Sequence, residues 1–269
     1  MTLLKFKNEV ERNIKGLAKN KTLAESTKIW FEKSLLNKYS YNFSSFSVPI
    51  IQYPQDMIGI QELIWEIKPD LIIETGIAHG GSIIQSASIL AMIEYQEAVI
   101  SNSFLDPKKP TRKVLGIDID IRKHNKKIIE NHFLSKRIDV IEGSSISKKV
   151  INAVYKYSKM YSNILVLLDS NHTHAHVLAE LKAYAPLVSK NSYCIVYDTI
   201  IDDLPKKEFP DRPWGPKNNP KTAVYEFLNL IKNNDMLGID SSQLKFKIDK
   251  KIESKLQITV APDGYLKRI

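Results

Sequence analysis

Cysteine is nearly absent from this chain: 269 residues hold one, Cys194, inside the apolar run "SYCIVYD". A single thiol excludes a disulfide framework, so the chain reads as cytoplasmic and Cys194 as a buried strand thiol. Long hydrophobic runs are missing too. None approaches the ~20 residues a membrane-spanning helix needs. The opening stretch, "MTLLKFKNEVERNIKGLAKNKTLAES", lacks the apolar core and small-residue cleavage site of a secretory leader. There is no internal repeat and no low-complexity linker. Paired Cys/His zinc spacing and an aromatic RNA-binding strand are also lacking. The net charge of +9 therefore reads as lysines scattered over a solvated surface and excludes a nucleic-acid partner. It leaves room for anionic substrates, nucleotides or a peripheral membrane contact.

What is present is a substantial core, with 43% hydrophobic residues, and a regular alternation. Residues 3–19 and 22–38 space their apolar side chains helically (Leu3, Phe6, Val10, Ile14, Leu17; Leu23, Thr27, Trp30, Phe31, Leu35). They form an N-terminal helical extension, residues 1–40, expected to pack on the core or between subunits of a homo-oligomer. Residues 40–56 read as an irregular, aromatic-rich loop. From there "DLIIET" (70–75), "KVLGIDID" (113–120), "RIDVIEG" (137–143), "NILVLLD" (163–169) and "SYCIVYD" (192–198) read as short buried strands. Helical patterns near 56–67, 81–96, 122–133, 146–159 and 174–187 surround them. Such alternation predicts a parallel sheet covered on both faces. A helix at 220–232 and two last strands, 244–249 and 256–262, without a long crossover suggest an antiparallel end. The expectation is an α/β fold: a doubly wound, seven-stranded Rossmann-like sheet of the methyltransferase variant, over residues 41–269.

Each core strand ends in, or runs into, a carboxylate or glycine: Glu74, Asp118, Gly143, Asp169, Asp198. Ligands in open α/β sheets bind beyond the carboxyl ends of the strands. In "IIETGIAHGGS" (72–82), Gly76, Ala78, Gly80 and Ser82 form a turn that lets a ligand approach the backbone. A pyrophosphate would be repelled by Glu74, whereas an ammonium group would be attracted. That favours S-adenosylmethionine over a nicotinamide dinucleotide or a plain structural turn. Asp118, between Ile117 and Ile119, can accept both ribose hydroxyls. Gly143 and Ser144 either border the adenine or form a capped loop.

In "LVLLDSNHTHAHVLAEL" (165–181), Asp169 ends one strand, and Asp198 ends the next. Neighbouring strand tips lie about 5 Å apart, where two carboxylates repel unless a cation sits between them. Oxygen ligands without cysteine suit magnesium or another hard divalent ion. The competing reading has both aspartates as caps. His172 would face the same opening and could take a proton from a substrate hydroxyl, while His174 and His176 read as surface residues.

Several segments match a known family: "YNFSSFSVPIIQYPQDM" (41–57), "QELIWEIKPDLIIETGIAHGGS" (61–82), "LLDSNHTHAHVLAELKAYAPLV" (167–188), "RPWGPKNNPKTAVYEFL" (212–228) and "ITVAPDGYLKRI" (258–269). The chain resembles the cephalosporin hydroxylase family, which groups with metal-dependent O-methyltransferases that use S-adenosylmethionine. Many of its members serve surface-glycan or decorated-lipid pathways, and one branch is named for rhamnosyl O-methylation. The resemblance implies an O-methyltransferase acting on a glycan or small-molecule acceptor, with a divalent ion at Asp169 and Asp198 and His172 as base. One departure is Tyr197, which stands where related sugar O-methyltransferases carry a glutamate ligand. Thr199 or water could fill that place. Two rivals remain. An iron oxygenase needs two histidines and one carboxylate, and only His172 is well placed. A non-catalytic binding module would gain from the loss of the glutamate. Substrate choice is expected from the loops at 40–57 and 199–219.

Overall fold

The computed structural model describes residues 2–269. Two helices open the chain, α1 (Leu3–Lys19) and α2 (Lys21–Leu35). Asn20 ends the first, and its side chain accepts from the Leu23 N–H to start the second. A small antiparallel hairpin follows, β1 (Phe43–Ser45) and β2 (Val48–Ile50), in the stretch expected to be irregular. Its pairing is only three residues long, too short for alternation to reveal.

The main sheet then builds as β3 (Leu71–Thr75), β4 (Lys113–Asp118), β5 (Ile138–Glu142), β6 (Ile164–Leu168), β7 (Tyr193–Val196), β8 (Phe246–Ile248) and β9 (Tyr265–Arg268). Its spatial order is β5-β4-β3-β6-β7-β9-β8. The first five strands are parallel, and β9 runs antiparallel between β7 and β8. This is the seven-stranded methyltransferase arrangement.

Strand side chains alternate between two apolar layers. Ile72, Val114, Leu165, Leu167 and Ile195 face one layer with α3 (Pro54–Ile67), α4 (Gly81–Ser101) and α5 (Lys123–Asn131). Leu71, Ile73, Leu115, Val166, Leu168, Cys194 and Val196 face the other, with α6 (Lys148–Ser158), α7 (His174–Tyr184) and α8 (Pro220–Asn233). Burial on both faces explains the continuous apolar runs. Cys194 is a fully buried free thiol, and burial pushes its pKa up.

One expected strand is displaced. Residues 256–262 are not extended: α9 (Lys250–Leu256) ends there, and the paired strand comes later, at Tyr265–Arg268. Asp249 caps α9 by accepting from the Lys251 N–H at 3.1 Å. The buried carboxylate of Asp56 then receives the Thr259 hydroxyl, the Val260 N–H at 3.0 Å and the Tyr265 hydroxyl at 3.0 Å. Those bonds replace a ladder and hold the segment as a loop. The N-terminal helices pack on the same body. Phe31 stacks on Tyr53 with ring centres 4.8 Å apart, within the apolar layer on the α3–α4 side. Among the described residues no helix is long and apolar enough to cross a membrane.

Candidate active site

A cleft of about 590 Å³ opens at the carboxyl ends of β3, β4, β6 and β7. Gly76, Ala78 and Ser82 from the β3–α4 turn lie on its wall, together with Asp118, Asp169, His172 and Asp198. Gly76 has φ +81, and a Cβ there would fall 2.1 Å from the Asp169 carbonyl oxygen. Only glycine lets the turn pass so close to the tip of β6. Asp118 braces that turn, its Oδ2 accepting from the Ile77 and Ala78 N–H groups at 2.9 and 3.2 Å. Asp118 also lines the cleft.

Glu74 lies beside the main cleft, on a small chamber of about 20 Å³ shared with Gln52, Asp56, Asp169 and Tyr197. Its Oε1 accepts from the Ser82 hydroxyl, and its buried Oε2 has no donor. Burial raises its pKa to about 7, opposed in part by the Ser82 bond. An unsatisfied buried carboxylate oxygen is the acceptor that a cationic ligand group needs.

Asp169, His172 and Asp198 each present one donor atom such that all three lie within 4.8 Å of one another. β6 and β7 are adjacent and in register, which brings the two aspartates together as the sequence predicts. Asp198 adopts the left-handed conformation, φ 56, turning its carboxylate across the strand tips. His172 lies in the turn before α7, with Nε2 3.1 Å from Asp198 Oδ2. Its ring meets Trp214 edge-on, centres 4.8 Å apart. Burial raises the pKa of Asp169, and Asp198, Glu74, Glu180 and Asp56 push it in the same direction. Such crowding of carboxylates is what a divalent cation relieves.

Several expectations need correcting. Thr199 is fully buried and its hydroxyl donates to the Pro262 carbonyl at 2.6 Å, away from the cluster. Gly80, Gly143 and Ser144 do not line the cleft. A Cβ on Gly80 would meet Ile129, and one on Gly143 would meet Val150, so these glycines serve chain packing. His174 and His176 are not free surface groups. His174 contacts Thr222 and Glu226 at 2.8 and 2.9 Å. His176 lies 3.0 Å from Ser145 and 3.2 Å from Ser170, so neither joins His172.

Both expected loops line the cleft, through Tyr41 and Gln52 on one side and Phe209, Arg212 and Trp214 on the other. Phe31 and Leu35 of α2, and Leu36 just after it, also reach it. Their helical spacing signalled packing, and nothing in it distinguished a cleft wall from a core contact.

The family model for rhamnosyl O-methyltransferase/CmcI matches residues 37–269. The chain belongs to this family. Within the rhamnosyl O-methyltransferase/CmcI family, it is 28% identical over 220 residues to a rhamnosyl O-methyltransferase of Mycobacterium bovis (strain BCG / Pasteur 1173P2), covering 79% of this chain and 73% of that protein. It is 25% identical over 186 residues to the rhamnosyl O-methyltransferase of Mycobacterium leprae (strain TN), covering 68% and 71%. A CmcI structure described as holding Mg and SAM superposes with a TM-score of 0.50 at 16% identity, covering 85% of this chain and 77% of that one. That likeness establishes the common fold.

Proposed function

We propose that this family member transfers a methyl group from S-adenosylmethionine to a hydroxyl of a sugar-bearing or small natural-product acceptor, with a divalent cation at the strand tips. The observation that carries the reading is the convergence of Asp169, His172 and Asp198 beside the glycine turn of β3.

The residues present fit both groups. Glu74 Oε2 is a buried acceptor without a donor, suited to an ammonium, and the Gly76–Ala78 backbone permits close approach. Asp169 and Asp198 supply hard oxygen for magnesium or a similar ion. When bound, the cofactor offers an electrophilic methyl group and the ion a Lewis acid for the acceptor oxygen.

The remaining chemistry belongs to the chain. His172 takes the proton from the acceptor hydroxyl. The imidazolium so formed is stabilised by the carboxylate of Asp198, 3.1 Å away. Trp214, against the His172 ring, limits its rotation. Tyr41, Phe209 and Trp214 give the acceptor side flat apolar walls that suit a sugar face. We place the acceptor among glycans, glycolipids and related natural products. An oxygenase triad finds no support, since the cluster has one histidine and two carboxylates.

Incubating the chain with methyl-labelled S-adenosylmethionine and rhamnosides or other deoxyhexosides tests the proposal. Label should reach the sugar, and a chelator should suppress transfer. Failure to bind S-adenosylmethionine in calorimetry would sink the reading.

A further inference from the structure

The cluster is short of one oxygen. Asp169 and Asp198 are its only carboxylates among the described residues, and the Thr199 hydroxyl is turned to Pro262. Beside the gap lies Gln52, just after β2. It is 8% exposed, and its backbone N–H is fixed on the Ser40 carbonyl at 3.1 Å. Its side-chain Nε2 donates to Asp169 Oδ2 at 3.2 Å. Its Oε1 is buried with no donor.

A primary amide is nearly symmetric in shape, so its environment decides which end faces a neighbour. Opposite a bare carboxylate the NH₂ end is favoured. Opposite a carboxylate that holds a cation the oxygen end is favoured, because amide oxygen is a hard neutral ligand. A half-turn of the terminal torsion brings Oε1 close to the place of Nε2, some 3.2 Å from Asp169 Oδ2. Adjacent oxygens around magnesium, each about 2.1 Å from the ion, are separated by about 3 Å. The spacing therefore matches one edge of a coordination octahedron. The same turn removes the buried unsatisfied oxygen, which otherwise costs free energy.

Resting on the metal-assisted reading above, we propose that Gln52 is a protein ligand of the divalent cation, supplying a further oxygen beside those of Asp169 and Asp198. The bond ties the β1–β2 hairpin to the tip of β6. The hairpin already lies on the start of α4, where a Cβ on Gly81 would fall 2.3 Å from the Pro49 carbonyl oxygen. Loading the cation thus fastens the hairpin across the cofactor end of the cleft.

Manganese binding to the full chain, read by electron spin resonance and water-proton relaxation without any acceptor, tests this. Gln52→Leu should weaken Mn²⁺ roughly 10- to 100-fold and add one exchangeable water to the bound ion. Gln52→Glu should bind at least as tightly as wild type, with wild-type hydration. If Gln52→Leu folds poorly by circular dichroism, the Gln52→Glu comparison decides. A glutamate that weakens Mn²⁺ or alters its hydration overturns the proposal. So does a folded Gln52→Leu with unchanged affinity and hydration, which leaves the metal-assisted reading standing. A wild-type chain that binds no Mn²⁺ defeats both.

Discussion

Asp169→Asn and His172→Ala are expected to fail in different ways. The first should lose the cation and most activity together, since Asp198 is then the one carboxylate left in the cluster. The second should keep the cation and the cofactor and slow transfer by about 10²–10⁴-fold, the usual contribution of a positioned base. Single-turnover transfer beside a metal titration measures both. A His172→Ala enzyme that keeps full activity would move the base elsewhere. Glu74 gives a second test. Its folded pKa of about 7 lies above its ordinary value because of burial. The folded state therefore binds the proton more tightly than the unfolded one, and ligand-free stability falls as pH rises from about 4 to about 7. Glu74→Gln should match wild type near pH 4 and melt higher at pH 8, while binding S-adenosylmethionine about 1–3 kcal/mol more weakly. Thermal melts and calorimetry read the two effects separately. Asp169, Asp198 and His172 were legible as residues because carboxylates and a histidine end apolar strands. Gln52 was not, since a glutamine in an aromatic loop carries no signal of the residue it will face across the fold.

The β3–α4 turn and the hairpin meet through Gly81. Any side chain there strikes the Pro49 carbonyl, so Gly81→Ala should push the hairpin off the helix start. A loss of about 1–3 kcal/mol in stability is expected, the range for overpacking, along with weaker cofactor binding. Gly215→Ala, which meets nothing within 4 Å, is the control and should melt like wild type. Equal melts for the two variants would show that the contact yields easily. The five parallel strands could be read directly, because burial on both faces demands unbroken apolar runs. The last strand could not. "LQITVAP" has strand-like composition, yet Asp56, some 200 residues earlier in the chain, claims its polar groups. No local pattern records so distant a partner.

At the scale of the whole molecule, apolar side chains stand uncovered on the amino-terminal helices. Leu3, Leu4 and Phe6 on α1 and Ile29 on α2 are at least half exposed, although Ile14 and Phe31 of the same helices are buried. We propose that these outward residues join copies of the chain. Light scattering should show an oligomer for the full chain and a smaller species for one beginning at Lys38. The shorter chain should also melt lower, because it loses the Phe31–Tyr53 stack. A full chain that stays monomeric at high concentration removes the self-association idea without touching the site.

The position of β9 bears on how the molecule is made. It lies between β7 and β8 in space, yet it follows both in sequence. During synthesis, which proceeds from the amino terminus, the parallel half of the sheet can form while the edge of β7 has no partner. Its unpaired backbone groups then present a template to any neighbouring chain. Until Tyr265–Arg268 emerges and slides into the gap, the nascent protein is exposed to mispairing. Low temperature and slow expression should therefore raise the yield of folded protein.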